Sequence, residues 1–433
     1  MPISLVALVL ASVQPDGSDP AERCNGSRLS TMTRRNALRL LASSSGVALL
    51  AQNDSLRPFK IDIPQNRINR ILARVKSTRL PDRLDAPDWR YGANWDYMKS
   101  LTEYWVTKYD WKKAEAKLNR YPQFLARVED YDIHFYHVKG KGPKPLPLIL
   151  THGWPGSVLE FQEAVGPLSD PAKYGGSAED AFDVVVPSLP GFGFSSKPKQ
   201  PIGPPTTARL WNALMTRVLG YSKFGAQGGD WGNAITLALA REFPQNLAGI
   251  HLNATGGAAP AGEPTEEERA WQQAAAAHRT QELDYFNEQQ HKPGTVAFAL
   301  YDNPLGTAAW IVEKFKVWSD SGNDIESAFT KDQLLTNVMI YLVTDTAATG
   351  VWFYRGSSDD RSGVPARGKL ETPTGFASFP GEMPALNPPR TILERNFNLV
   401  QYTRMPKGGH FACLEQPKLF VDDVRSFFRR IRG

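Results

Sequence analysis

The residues of this chain best suited to covalent chemistry lie at 228–232, with the sequence GGDWG. Residues 222–227 before them predict a short buried strand, and residues 233–243 after them predict a helix that stops at Pro244. A strand that turns sharply through glycines into a helix presents one side chain at the head of that helix, where it can act as a nucleophile. Asp230 occupies this position at the head of the helix. An Asp that only caps the helix is the alternative, and these five residues do not separate the two.

Candidate partners for Asp230 follow later in the chain. His410 lies on a glycine-rich loop between a late predicted strand and the predicted C-terminal helix. Glu382 lies in the turn after the preceding predicted strand, and Glu394 is the alternative acid. The other position for an acid, after the sixth predicted strand, holds Asn253, whose amide cannot stabilise an imidazolium as a carboxylate does. Nucleophile, acid and His therefore follow in the order expected of an α/β-hydrolase.

An Asp nucleophile restricts the reaction. Attack of a carboxylate on an ester carbonyl would give only an anhydride, whereas displacement at saturated carbon gives an alkyl ester on the enzyme. We expect His410, oriented by Glu382, to activate a water that attacks the carbonyl carbon of esterified Asp230. The resulting oxyanion needs backbone N–H donors, and Trp154 and Trp231 are in the right positions to supply them.

The leaving atom then decides the substrate. A halide requires Trp or Asn N–H donors around an anion, and that chemistry describes a haloalkane dehalogenase. The oxygen of an opening epoxide requires a proton donor, which Tyr supplies. A non-catalytic binding protein on the same fold is a third hypothesis, and the intact set of nucleophile, acid and His argues against it.

The elements that must position these residues form an alternating pattern. Near-continuous apolar runs at 146–150 and 182–187 predict buried parallel strands, and helical patterns replace the alternation after residue 258. We expect an α/β-hydrolase fold: a mostly parallel eight-stranded sheet with helices on both faces and a helical lid inserted after the sixth strand. The predicted segments are a leader (1–53), an N-terminal wrapping region (54–145), the first half of the core (146–257), the lid (258–372) and the second half of the core (373–433).

Composition excludes several classes of protein. The 433 residues include 41% hydrophobic and 22% charged residues, which is ordinary for a globular protein. The net charge of +5 is scattered, so we expect no nucleic-acid partner. His134 and His137 point to opposite faces of a predicted strand, and no phosphate-binding glycine loop is present, so neither metal nor cofactor is expected. Cys24 and Cys413 cannot form a disulfide framework, and no apolar run is long enough to span a membrane.

The first fifty residues predict targeting rather than fold. Arg34 and Arg35 precede a mildly apolar run at 38–51, which indicates a twin-arginine secretion signal with a start at Met32. We therefore expect an exported protein, periplasmic or extracellular, that loses Cys24 on cleavage. The alternative is a disordered N-terminus with a chance Arg pair and a cytoplasmic protein. The oligomeric state stays open, with a homodimer among the alternatives.

Short motifs occur along most of the chain, at 59–61 (FKI), 79–82 (RLPD), 109–111 (YDW), 118–119 (LN), 152–157 (HGWPGS), 228–232 (GGDWG), 304–306 (PLG), Trp310, 313–315 (EKF), 334–337 (LLTN), 373–375 (PTG) and 408–411 (GGHF). Together these motifs resemble those of the microsomal-type epoxide hydrolases. The resemblance implies a cofactor-independent enzyme that adds water to a small-molecule epoxide. It also implies two lid tyrosines, which fall on Tyr354 and Tyr285, with Tyr301 as the alternative to Tyr285. Membrane-bound members carry an N-terminal anchor; here the leader replaces it, which implies no stable anchor.

Overall fold

A twisted sheet of nine strands runs through the part of the chain that the structure, a computed structural model, describes: residues 56–86, 88–256, 263–360 and 368–432. The predicted leader, with Arg34, Arg35 and Cys24, lies outside these ranges. The strands are β1 (Leu56–Phe59), β2 (Gln123–Val128), β3 (Tyr131–Val138), β4 (Leu146–Thr151), β5 (Phe182–Pro187), β6 (Phe224–Gly228), β7 (Leu247–Leu252), β8 (Leu370–Ser378) and β9 (Phe397–Arg404). Their spatial order is β1-β2-β3-β5-β4-β6-β7-β8-β9.

Antiparallel pairing joins the first three strands to β5, and the six strands from β5 to β9 in the spatial order are parallel. The sheet therefore has nine strands rather than the predicted eight. The additional strand is β1, which pairs with β2 so that Leu56 lies opposite Ala126. Its short, mostly exposed sequence with Pro58 carries no alternating pattern, as is common for an edge strand. Strand β8 begins at Leu370, ahead of the boundary predicted between residues 372 and 373.

Helices cover both faces of the sheet because successive side chains of a strand point to opposite sides. Val184 and Val186 of β5 pack in one core with Phe428, whereas Val185 packs in the other core with Ile235. The helices are α1 (Gln65–Ser77), α2 (Trp95–Thr107), α3 (Trp111–Leu118), α4 (Gln162–Ser169), α5 (Pro204–Ala213), α6 (Asp230–Glu242), α7 (Glu266–Glu282), α8 (Asp284–His291), α9 (Pro293–Leu300), α10 (Pro304–Val317), α11 (Lys331–Val343), α12 (Ala347–Asp359), α13 (Arg390–Asn396), α14 (Ala412–Glu415) and α15 (Pro417–Ile431).

Helices α7 to α12 lie between β7 and β8 in the chain, and the N-terminal helices pack against them. The Tyr109 hydroxyl lies 3.1 Å from the Thr336 hydroxyl, and the Arg67 guanidinium lies 2.6 Å from the Asp345 carboxylate. These contacts tie residues 56–120 to the helical segment that faces the candidate site. Within the described ranges no single helix is long and apolar enough to cross a membrane; α11 and α12, bent by 86°, meet that test only as a pair.

Candidate active site

The turn between β6 and α6 places Asp230 as the first residue of the helix, with a φ of 48°. That left-handed conformation is uncommon for a residue other than glycine, and Asp and Asn tolerate it best. Two glycines of this turn, Gly228 and Gly232, are needed for steric reasons. A Cβ on Gly228 would lie 2.1 Å from the Gly232 carbonyl oxygen, and a Cβ on Gly232 would lie 2.0 Å from the Thr151 carbonyl oxygen. The turn therefore holds the Asp230 carboxylate close to β4 and at the positive end of α6.

The loop after β4 supplies a hydrogen-bond donor to this carboxylate. The Trp154 N–H donates to Asp230 Oδ1 at 2.8 Å. A Cβ on Gly153 would lie 2.0 Å from the same Oδ1, so only glycine leaves room for it. The Trp231 N–H belongs to the first turn of α6, where backbone N–H groups have no partner within the helix. Its role as the second donor stays a prediction.

On the other side of Asp230, His410 lies between two carboxylates. Its Nε2 is 3.3 Å from Asp230 Oδ2, and its Nδ1 is 2.9 Å from Glu382 Oε1. Burial lowers the pKa of the imidazole, but the charges of Glu382 and Asp230 outweigh burial and hold that pKa well above its usual range. The resting ring is thus an imidazolium between two anions. Its position lets the same ring exchange a proton near the Asp230 carboxyl group.

The alternatives to Glu382 lie elsewhere. The Glu394 carboxylate accepts a hydrogen bond from Arg390 at 2.7 Å on the exposed side of α13. Asn253 Oδ1 accepts a hydrogen bond from the Gln227 amide at 2.8 Å in the buried region behind the turn. Glu382, in contrast, has a fully buried side chain in contact with His410.

Two tyrosines from the helical segment meet above Asp230. Tyr285 of α8 stacks on Trp154, with ring centroids 5.7 Å apart, and Tyr354 of α12 packs edge-on against Trp231 at 4.9 Å. Their own rings are 5.9 Å apart. Burial, with the nearby Asp230 charge, raises the pKa of both hydroxyls well above the usual value for tyrosine. Both are therefore protonated and able to donate. The third candidate, Tyr301, is 53% exposed at the end of α9.

A cavity of about 1140 Å³ leads to Tyr285 from the outside, between the loop at 88–94 and helices α7, α8 and α10. A second, much smaller cavity of about 20 Å³ lies beside Asp230. It is lined by Asp230, His410 and Glu160, among others. The first cavity has room for an organic molecule but is lined by neither Asp230 nor His410, and the second has room for a single water molecule.

Family models and named relatives of this chain agree with one another. Residues 56–161 match the family model for the epoxide hydrolase N terminus, and residues 147–417 match that for the alpha/beta hydrolase fold. A Stigmatella aurantiaca protein that carries a provisional epoxide hydrolase name is 44% identical over 87% of this chain and 86% of its own length. Epoxide hydrolase 1 of Oryctolagus cuniculus is 35% identical over 87% of this chain and 89% of its own.

The chain belongs to the epoxide hydrolase family. A solved structure agrees with this assignment: juvenile hormone epoxide hydrolase from the silkworm Bombyx mori superimposes with a TM-score of 0.78 at 30% identity, covering 88% of this chain and 95% of that one. The predicted family and the α/β-hydrolase fold are therefore confirmed, and the protein is an epoxide hydrolase. The predicted leader and export are not tested by these comparisons.

The sequence analysis assigned no role to several residues that hold the loops of this epoxide hydrolase in place, although Asn337 belongs to one of its motifs. Asn337 of α11 donates from Nδ2 to the Pro155 carbonyl at 2.7 Å and accepts from the Ser157 hydroxyl at 2.8 Å. The Tyr341 hydroxyl donates to the Gly156 carbonyl at 2.7 Å. These bonds fix the loop that carries the Trp154 N–H. The available signal was an Asn inside the apolar run of α11, because a buried amide needs partners.

The loop that carries His410 has a similar anchor. Glu415 accepts hydrogen bonds from the N–H groups of Gly409 at 3.0 Å and Phe411 at 3.0 Å, on either side of His410. It also accepts from the Asp320 N–H at 2.9 Å, which ties the loop to the connection between α10 and α11. Burial raises the pKa of Glu415 to about 7, partly offset by these N–H groups. The sequence analysis assigned no role to Glu415.

Replacing Asn337 with Ala should reduce both activity and stability. The Pro155 carbonyl and Ser157 hydroxyl would be left buried without this partner, so we expect the free energy of unfolding to fall by about 2–4 kcal/mol. Because the Trp154 N–H would be less well held, turnover should fall roughly tenfold or more. Chemical denaturation and steady-state assays measure the two effects. The same substitution at Asn69, which is exposed on α1, should change neither quantity, and equal losses at both positions would contradict the assignment.

Proposed function

We propose that this epoxide hydrolase converts an epoxide and water into a vicinal diol through a covalent ester on Asp230. The observation that carries the proposal is the pair of contacts on one carboxylate: the Trp154 N–H on Oδ1 at 2.8 Å and His410 Nε2 at 3.3 Å from Oδ2. A carboxylate held in this way has one oxygen prepared for an oxyanion hole. Its other oxygen, Oδ2, which lies on the His410 side, is the one that we assign to attack on carbon.

In the first step, Asp230 Oδ2 attacks one carbon of the epoxide and the bond between that carbon and the ring oxygen breaks. The electron pair of the broken bond stays on the oxygen, which takes a proton from the hydroxyl of Tyr285 or Tyr354. Burial, with the nearby Asp230 charge, raises the pKa of both hydroxyls, so both tyrosines hold a proton until the epoxide oxygen takes it. The products of this step are an alkyl ester with a free hydroxyl group and a transient phenolate that recovers its proton from solvent.

In the second step, neutral His410 removes a proton from a water that attacks the carbonyl carbon of the ester. Negative charge collects on Oδ1, where the Trp154 N–H and, as predicted, the Trp231 N–H stabilise it. Collapse of this intermediate breaks the bond between its carbon and the diol oxygen, and protonated His410 returns its proton to that oxygen as the diol leaves. The Asp230 carboxyl group then releases its remaining proton to solvent, which regenerates the carboxylate. The cavity of about 20 Å³ beside Asp230 and His410 suits the attacking water.

Glu160 is a further carboxyl group that lines that cavity. Burial raises the pKa of its carboxyl group to about 8, although the His410 charge acts in the opposite direction. At neutral pH a protonated carboxyl group can donate a hydrogen bond to a water in the cavity. Sequence reasoning missed Glu160, although a carboxylate in the apolar run Val158–Phe161 was a usable signal.

A single turnover in oxygen-18 water tests the proposal. With enzyme in excess over epoxide, one oxygen of the first diol comes from the epoxide and the other comes from the Asp230 carboxylate. The diol should therefore be unlabelled. Mass spectrometry of the peptide that contains Asp230 should then show oxygen-18 in that carboxylate. Label in the first-turnover diol would mean direct attack by water and would overturn the ester route.

Hydrolysis of the ester should become faster as pH rises. Alkylation removes the charge of Asp230, one of the two anions that hold the His410 pKa high, so that pKa falls and the ring can act as a base. Rapid-quench measurements should show a rate constant that rises about tenfold per pH unit and then levels off. The midpoint should lie below the His410 pKa of the free enzyme, measured by NMR titration. A rate constant that falls with rising pH would exclude His410 as the base.

A further inference from the structure

A buried lysine lies against one of the two active-site tyrosines. Lys314 of α10 is 7% exposed, and its Nζ lies 4.5 Å from the centroid of the Tyr285 ring and 5.6 Å from that of Trp318. Lysine is rarely buried unless its charge is paired. Here Glu313 is its partner, with the Nζ–Oε2 distance at 2.7 Å. The Lys314 Nζ is therefore paired with a carboxylate and lies over an aromatic face.

We propose that Lys314 is a positioning residue that stabilises the negative charge on Tyr285 during ring opening and so makes Tyr285 the principal proton donor. This inference rests on the proposed function, in which a tyrosine hydroxyl protonates the epoxide oxygen. A cation over an aromatic ring attracts the neutral ring weakly and the phenolate strongly. Lys314 therefore favours the transition state, in which the phenolate develops, over the resting enzyme.

The two tyrosines differ in this respect. Of the described lysines and arginines, none lies over the Tyr354 ring, whereas Lys314 lies over Tyr285. Tyr354 instead packs edge-on against Trp231 and against Tyr285 itself. A phenolate on Tyr354 would thus have no cation above it. Because a cation lies over the Tyr285 ring alone, we assign the proton transfer to Tyr285. Tyr354 then holds the epoxide oxygen by a hydrogen bond.

The other charges around Lys314 do not cancel this effect at the transition state. Burial raises the Tyr285 pKa, and the negative charges of Asp230, Glu313 and Glu282 act in the same direction. Burial lowers the pKa of the nearby His278, and the charges of Arg279 and Lys314 lower it further. When the epoxide carbon bonds to Asp230, the negative charge of the Asp230 carboxylate disappears, whereas the positive charge of Lys314 remains. The balance at Tyr285 then shifts towards the phenolate at the moment when the proton leaves.

A double-mutant cycle tests the inference. The rate constant of alkylation is measured by rapid quench with excess enzyme for the wild type, K314M, Y285F and the double variant. We expect K314M alone to slow alkylation roughly 30-fold, as the loss of a desolvated cation–π contact implies, with ester hydrolysis unchanged. In the Y285F background K314M should have no further effect. K314R should restore most of the rate, and K99M, which removes an exposed lysine over Trp95, should leave it unchanged.

Each other outcome has a defined meaning. Equal slowing by K314M with and without the Tyr285 hydroxyl would show a structural role and overturn the inference. A higher KM with an unchanged alkylation rate constant would show that Lys314 binds the substrate in the large cavity, and would overturn it too. If Y285F slows alkylation but K314M does not, only the role of Lys314 fails. If Y285F itself leaves alkylation unchanged, Tyr285 is not the principal proton donor and the inference fails, whereas the proposed function stands with Tyr354 as the donor.

Discussion

Replacing Asp230 with Asn should lower diol formation by at least about 10⁴-fold while the protein stays folded. The amide has no anionic oxygen to displace at carbon, so the first step of the proposed reaction cannot occur. Asn is the best substitute for this test because it has nearly the same shape and tolerates the left-handed backbone, with φ at 48°, that the turn imposes. Any fall in activity therefore reports chemistry rather than strain. Steady-state diol formation and thermal unfolding measure the two effects separately.

The chain offers a matched control for this substitution. Asp302 has a φ of 54° and is exposed, with its carboxylate 3.2 Å from the Arg74 guanidinium. Asp302→Asn makes the same chemical change at another left-handed Asp, far from His410, and should leave turnover unchanged. The proposal fails if Asp230→Asn keeps more than a few per cent of the wild-type turnover in a preparation free of wild-type enzyme.

The nucleophile turn was predictable because its causes are local. The glycines at 228 and 232 are required because backbone atoms within four residues or on the neighbouring strand leave no room for a side chain. The two glycines can be seen in the sequence itself, on either side of Asp230. The chain order of Asp230, Glu382 and His410 was predictable for a related reason. In a parallel sheet the carboxyl ends of the strands share one edge, so residues that follow β6, β8 and β9 must meet there.

The supporting contacts were not predictable because their partners are distant in the chain. Asn337 bonds to Pro155 across 182 positions, and no local pattern indicates which of the buried polar residues in α11 makes that bond. Lys314 was recognisable only as part of a motif, since its contact with Tyr285 depends on the packing of α10 against α8. The edge strand β1 was missed because an edge strand needs no buried alternating face.

Replacing His410 with Gln should trap the alkyl-enzyme. Gln cannot act as a base, but the nucleophile and the tyrosines remain, so alkylation should proceed and hydrolysis should stop. We expect one equivalent of epoxide to be consumed per enzyme, followed by turnover lowered about 10⁴-fold. Intact mass spectrometry should show the protein heavier by the mass of one epoxide, with the adduct on Asp230. Hydrolysis at the wild-type rate would contradict the role of His410.

His291→Gln is the control, because that histidine is exposed on α8 and should be replaceable without effect.

The His410→Gln variant should also be less stable, since Glu382 keeps a buried carboxylate but loses the imidazolium 2.9 Å away. The pKa of His410 is raised in the folded protein, so its stabilising contribution is complete below its unfolded pKa of about 6.5 and is lost as pH rises through the folded value. The stability difference between wild type and His410→Gln should therefore be largest at about pH 6 and shrink as pH rises above the folded pKa. Denaturant titrations across that range measure it, and a difference that grows with pH would mean that His410 is not held as an imidazolium between Asp230 and Glu382.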